Sequence, residues 1–173
     1  YQIYINNSPK TIFERALDSA TRYQLQIRLK DLKKNFNSTN PSVLDFGCGD
    51  GSFVEFLQTK DINAFGYEPC SIKERFNQRH VGELIFRDSQ SLRSYVMQYG
   101  KFHVIIINHV IEHFVSPAEL RAVLLGLLSP GGVIVGETPN SSHISLNLFR
   151  AASGTLHFPY HVSLASDKSF KYL

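Results

Sequence analysis

Only two cysteines, Cys48 and Cys70, occur in the 173 residues. No disulfide framework can hold such a chain, and a reducing, cytoplasmic setting is expected. No apolar run approaches the roughly 20 residues of a membrane span, and no signal-peptide pattern is visible, so no membrane partner is expected. An excess of one charge is also missing. The net charge is +3, from 18 Lys+Arg against 15 Asp+Glu, too small and too dispersed to argue for nucleic acid or a membrane surface. The basic run from Arg28 to Lys34 reads as a solvated helix face rather than an RNA-binding stripe. There are no repeats and no low-complexity tracts. What remains is an ordinary globular composition in a chain long enough for one domain with a real core. The chain begins at Tyr1 rather than Met, so a fragment, or a chain without its first residues, is expected.

Residues 11–35 carry apolar side chains at helical spacing (Ile12, Ala16, Tyr23, Ile27, Leu32) among many charges, the pattern of an amphipathic outer helix. The run Asn37-Ser38-Thr39-Asn40-Pro41 breaks it, which predicts an N-terminal helical cap over 1–40 and a core over 41–173. From there strands and helices alternate: strands at 42–46, 63–67, 83–87, 102–107 and 132–137, helices near 52–59, 71–79, 90–98 and 117–128. Strict alternation predicts an α/β fold with a doubly wound, mostly parallel sheet and right-handed crossovers. The continuous apolar run 102–107 is what a central strand covered on both faces requires. Ser116-Pro117-Ala118-Glu119 predicts a capped helix start, and Pro130-Gly131-Gly132 predicts its end and the turn into the next strand. Residues 140–165 read as a loop with a short helix near 144–151, and another helix begins at Asp167.

Chemistry concentrates at Asp45-Phe46-Gly47-Cys48-Gly49-Asp50-Gly51, which follows the first strand and opens into a helix. Glycines let backbone approach a ligand closely and accept positive φ. A dinucleotide fingerprint would need G-x-G-x-x-G, and its third glycine is out of place here. In an open α/β sheet, ligands bind at the carboxyl ends of the strands, where Asp45, Glu68 and Asp88 fall. Several carboxylates would repel a pyrophosphate and attract a cationic, phosphate-free nucleoside. Glu68 suits both ribose hydroxyls of such a ligand, and Asp88 an adenine amino group.

The stretch Val43 to Gly51 resembles motif I of the class I S-adenosylmethionine-dependent methyltransferases, and Gly66-Tyr67-Glu68-Pro69 resembles their second motif. Asn108-His109-Val110-Ile111-Glu112-His113-Phe114, Leu128-Ser129-Pro130-Gly131-Gly132, Glu137-Thr138-Pro139-Asn140 and His157-Phe158-Pro159-Tyr160-His161-Val162-Ser163 are similar to a broad branch of small-molecule and sugar methyltransferases. The resemblance implies a Rossmann-like methyltransferase fold with S-adenosyl-L-methionine as cofactor. It implies that Gly47, Cys48, Gly49 and Gly51, beside Asp45 and Phe46, hold the methionine part through backbone. It places Glu68 with Pro69 at the ribose, Asp88 with Ser89 at the adenine, and Asn108 with His109 beside the methyl group. Tyr23 would close over the methionine carboxylate. The family fold normally adds two strands after the fifth, so a sheet truncated there is expected.

Each of these residues also has a plainer reading. Asp45 would serve as a buried carboxylate capping the turn, and Asp88-Ser89 as a cap for the helix at 90–98. Two cysteines make a poor metal site, and both read as reduced and structural. His109, Glu112, His113 and His161 together would suit a metal with mixed nitrogen and oxygen ligands, similar to small-RNA 2′-O-methyltransferases, except that the first ligand position there is acidic. Structural roles are preferred for Glu112 and His113, and no metal is expected. His109 and His161 are the candidates for proton abstraction from an alcohol or phenol. The expected function is methylation, on oxygen, of a small-molecule or sugar acceptor. A metal-dependent RNA ribose methyltransferase and a non-catalytic cofactor-binding module of a larger biosynthetic protein stand as alternatives.

Overall fold

The computed structural model describes residues 41–69 and 82–138, together with Lys30. The expected helices over 11–35 and 71–79, the segment after Thr138, and with them Tyr23, Cys70 and His161, lie outside the described residues. Among the described residues five strands form one sheet: β1 (Val43–Phe46), β2 (Ala64–Tyr67), β3 (Ile85–Phe86), β4 (Phe102–Asn108) and β5 (Leu128–Glu137). The order is β3-β2-β1-β4-β5 and every pairing is parallel. This is the doubly wound sheet that the alternation predicts. Among the described residues three helices connect it: α1 (Ser52–Gln58), α2 (Ser89–Tyr99) and α3 (Pro117–Leu127). Among the described residues no helix is long and apolar enough to cross a membrane.

The two-residue period of the strands divides the core between the faces of the sheet. Val43, Val104 and Ile106 pack with Phe53, Val54 and Leu57 of α1. Leu44, Phe46, Ile105 and Ile107 pack with Leu92 of α2 and with Leu120, Leu124 and Leu127 of α3. β1 is buried throughout and β4 at all but His103 and Asn108, as their mostly apolar sequences require. Each helix contributes a stripe at three- and four-residue spacing, and α3 shows it most plainly with Leu120, Leu124 and Leu127.

Helix ends follow local chemistry. Ser116 Oγ accepts from Glu119 N–H at 3.3 Å, with Pro117 in the first turn of α3. The expected stop at Pro130-Gly131-Gly132 is corrected: α3 ends at Leu127 and β5 begins at Leu128, already extended at φ −86° and ψ 133°. Phe102 pairs with Leu128 and Val104 with Val133, so β5 advances five residues while β4 advances two. The Pro-Gly-Gly segment is therefore a bulge inside the strand rather than a turn before it. Proline's missing N–H is tolerated in a bulge, and Gly131 takes φ +73° there. The third strand is also shorter than the expected 83–87, because Gly82–Leu84 form a 3₁₀ turn.

Candidate functional site

The strand order reverses direction at β1, with β2 on one side and β4 on the other, and this switch point is where such sheets leave a crevice. Gly47 follows the end of β1 and His109 follows the end of β4, so both stand at its mouth. The loop after β1 turns through three positive-φ glycines, Gly47 (81°), Gly49 (56°) and Gly51 (75°). These are left-handed values that glycine adopts without steric cost. The loop is folded back on β2: the N–H groups of Gly47 and Cys48 donate to the Tyr67 carbonyl at 2.7 and 3.2 Å. Gly49 N–H donates to Glu68 Oε2 at 3.1 Å, joining the glycine turn to the acid at the end of the second strand. Asp50 Oδ1 accepts from Ser52 N–H at 3.0 Å and so starts α1 where Gly51 supplies no side-chain cap.

A cavity of about 910 Å³ opens here. Phe46, Gly47, Tyr67, Glu68 and Pro69 form its wall at the ends of β1 and β2. Ser89, Leu92 and Arg93 line it from α2, and His109, Val110 and His113 from the segment after β4. The cavity continues between α2 and α3 past Val96, Met97, Val123 and Leu127, an apolar cleft with Arg93 on its rim side. Arg93 is steadied by donating from Nη2 to Ser89 Oγ at 2.9 Å.

Of the residues singled out from the sequence, Phe46, Gly47, Glu68, Pro69, Ser89 and His109 gather on this one wall. Gly49 reaches it through Glu68, while Asp88 and Asn108 are chain neighbours of wall residues Ser89 and His109. Asp45 and Cys48 are buried instead, and strand alternation puts Asp45 on the α1 face with Val43. Asp88 caps α2: its Oδ1 accepts from Gln90 N–H at 2.9 Å and from Ser91 N–H at 2.7 Å. The bond from Ser91 chiefly holds its carboxyl below the ordinary carboxylate value.

The electrostatics of the wall is acidic. Burial pushes the Cys48 thiol well above its ordinary range, and the charges of Asp45, Glu68 and Asp50 push further in the same direction. The Tyr67 phenol is likewise raised by burial first and then by Asp88 and Glu68, with Arg93 opposing. One phenol thus feels both strand-end acids.

At the end of β4, His109 and Glu112, grouped in the sequence as candidate metal ligands, join instead a hydrogen-bond network with β5. His109 takes φ +54°, rare for a residue with a β-carbon, and its N–H donates to the Glu137 carbonyl at 2.8 Å. Its Nδ1 lies 3.2 Å from Glu112 Oε1, and its Nε2 lies 3.6 Å from Glu137 Oε1. Thr138 Oγ1 donates to Glu112 Oε2 at 2.8 Å. The three-residue spacing of His109 and Glu112 was the one available signal. Nothing local announces Thr138, which β5 carries in from 26 residues away.

Comparison with known proteins agrees with this geometry. The sequence profile of a family described as a methyltransferase domain matches residues 17–173. The ubiquinone biosynthesis O-methyltransferase of Methylobacterium nodulans is 26% identical over 110 residues, covering 62% of this chain and 44% of that protein. The chain thus spans less than half the length of that relative. Among solved structures, the plantazolicin methyltransferase BpumL, in complex with a triazolic desmethylPZN analog and SAH, superposes with a TM-score of 0.65 at 22% identity, covering 93% of this chain and 67% of that one. A SAM dependent methyltransferase from Archaeoglobus fulgidus superposes with a TM-score of 0.59 at 24% identity, over 87% of this chain and 66% of the other. At these identities the superpositions speak for the fold.

Proposed function

Because the chain belongs to the methyltransferase domain family, we propose that its cavity takes S-adenosyl-L-methionine and that its reaction is methylation of a hydroxyl on a small molecule. The observation that carries this reading is the bond from Gly49 N–H to Glu68 Oε2, on a wall shared with Ser89 and His109. The residues present fit the group. A β-carbon at Gly49 would meet no protein atom within 4 Å, so this turn offers bare backbone to open space. Carboxylates at the ends of β2 and β3 suit a cationic ligand without phosphate. The SAH bound to the plantazolicin methyltransferase and the SAM dependence of the Archaeoglobus fulgidus enzyme support the cofactor, and the relative named an O-methyltransferase supports oxygen as the acceptor atom.

Gly47, Gly49 and Gly51 would lie along the methionine part, Glu68 would accept the ribose hydroxyls, and Ser89 with the Asp88 backbone region would border the adenine. When bound, the cofactor supplies a methyl group on a sulfonium, already electrophilic, to an oxygen nucleophile. The chain's own task is then alignment, exclusion of water and removal of one proton. His109 stands at the switch point and would take the acceptor's hydroxyl proton on a ring nitrogen. Titration calorimetry with S-adenosylhomocysteine tests the reading. Binding to the wild type, weakened at least tenfold by Glu68→Ala, is expected; no binding to the wild type would overturn it.

A further inference from the structure

Glu112 is fully buried, with 0% of its surface exposed, in a 3₁₀ turn (Ile111–His113) behind the cavity wall. Burying a carboxyl group is costly unless its oxygens are satisfied. Both oxygens are engaged: Oε2 accepts from Thr138 Oγ1 at 2.8 Å, and Oε1 faces His109 Nδ1 at 3.2 Å. With Glu112 as a carboxylate, which has no proton to donate, the second contact is a hydrogen bond when the hydrogen sits on Nδ1. The neutral imidazole then carries its lone pair on Nε2 alone.

We propose that Glu112 is a positioning residue for His109, fixing the tautomer with hydrogen on Nδ1 and a bare Nε2, with Thr138 holding the carboxylate for that purpose. The inference rests on the reading of His109 as the base. Two further features mark His109 as a built position. The His109 backbone is held at φ +54° by its bond to the Glu137 carbonyl, and such outliers persist where the surroundings over-determine them. The Glu137 carboxylate lies 3.6 Å from Nε2, a charge contact rather than a hydrogen bond, so it leaves the tautomer to Glu112 and, with Glu112, would flank the cation formed when Nε2 gains a proton. In the step itself the acceptor's O–H bond breaks, its hydrogen goes to Nε2, and Nδ1 keeps its own. The proton then leaves Nε2 for the Glu137 carboxylate or water. The arrangement is the orienting half of a base–carboxylate pair, the role an acid plays behind a catalytic histidine on unrelated folds.

Nitrogen-15 NMR of histidine-labelled protein reads the tautomer directly. The wild type should show His109 protonated at Nδ1 and bare at Nε2. In Glu112→Gln the side-chain amide can donate to Nδ1, and the proton should move to Nε2. Diethylpyrocarbonate, mapped by peptide mass spectrometry, should modify His109 at least tenfold more slowly in that variant, whereas a purely structural role would leave tautomer and reactivity unchanged. An Nε2-protonated His109 in the wild type overturns the proposal even if Glu112→Gln fails to fold. So does an unchanged tautomer in a folded Glu112→Gln. Calorimetry with S-adenosylhomocysteine separates the two readings: its failure on the wild type removes the cofactor, while a wrong tautomer beside normal binding removes only the role of Glu112.

Discussion

Gly47 and Val110 meet so closely that a β-carbon on the glycine would lie 2.6 Å from Val110 Cγ2. Gly47 directly follows β1 and Val110 lies two residues past the end of β4, so they meet across the switch point. Gly47→Ala therefore carries two penalties. The backbone at φ +81° costs an alanine about 1–2 kcal/mol, and the overlap adds about 1–3 kcal/mol. Adding Val110→Ala should return the steric part only. Urea denaturation of the two single variants and the double variant measures the coupling, and strict additivity would count against the contact.

Gly66 stands in the same relation to Cys48: an added β-carbon would lie 2.6 Å from the cysteine Sγ. The Cys48 thiol is buried and its ionisation suppressed, first by burial and then by Asp45 and Glu68, so it should resist thiol reagents. In a Cys70→Ser background, labelling at pH 8 should be negligible in the folded protein and complete in urea. Gly66→Ala should displace the thiol and speed labelling at least tenfold. Equal rates in the two would show that the glycine does not hold the loop on β2.

Asp88 gives a pH dependence of known sign. Its carboxyl is held below the ordinary value of 3.8, chiefly by Ser91 N–H, so its contribution is complete above that value and is lost as pH falls through the lower folded value. Asp88→Ala should lower the urea midpoint at pH 7, and the deficit should shrink as pH drops below about 4. A deficit that stays constant down to pH 2 would contradict the ionised cap.

Tyr95 docks α2 on the sheet. Its ring lies 4.7 Å from Phe65, 5.2 Å from Phe86 and 5.6 Å from Phe102, centroid to centroid. Tyr95→Ala should destabilise by about 2–4 kcal/mol and weaken S-adenosylhomocysteine binding, since Ser89 and Leu92 reach the cavity from the same helix. Tyr95→Phe keeps the ring and should change stability by under about 1 kcal/mol. Chemical denaturation of both variants checks the difference.

Much of this protein is local, and what is local was legible. Val43–Phe46 and Phe102–Asn108 announce buried parallel strands by mostly apolar runs, interrupted only at Asp45, His103 and Asn108, because a strand covered on both faces has little polar side to show. The glycine turn and Glu68 follow from strand ends and positive-φ positions that only glycine fills cheaply. Ser116 and Asp88 cap helices within four residues of themselves. The boundary before Pro130-Gly131-Gly132 is not local: Leu128 already pairs with Phe102, 26 residues back along the chain, before the proline is reached.

By itself the sequence determined the layer order, the bare-backbone loop and the acids at the ends of the strands, since each depends on neighbours along the chain. Only the tertiary structure decided what those pieces do to one another. The bulge in β5 sets its register against β4, and that register delivers the Glu137 carbonyl to His109 and the Thr138 hydroxyl to Glu112. The proton on His109 is assigned by a buried carboxylate whose second partner lies 26 residues away, and no spacing rule along a chain encodes a hydrogen bond of that kind.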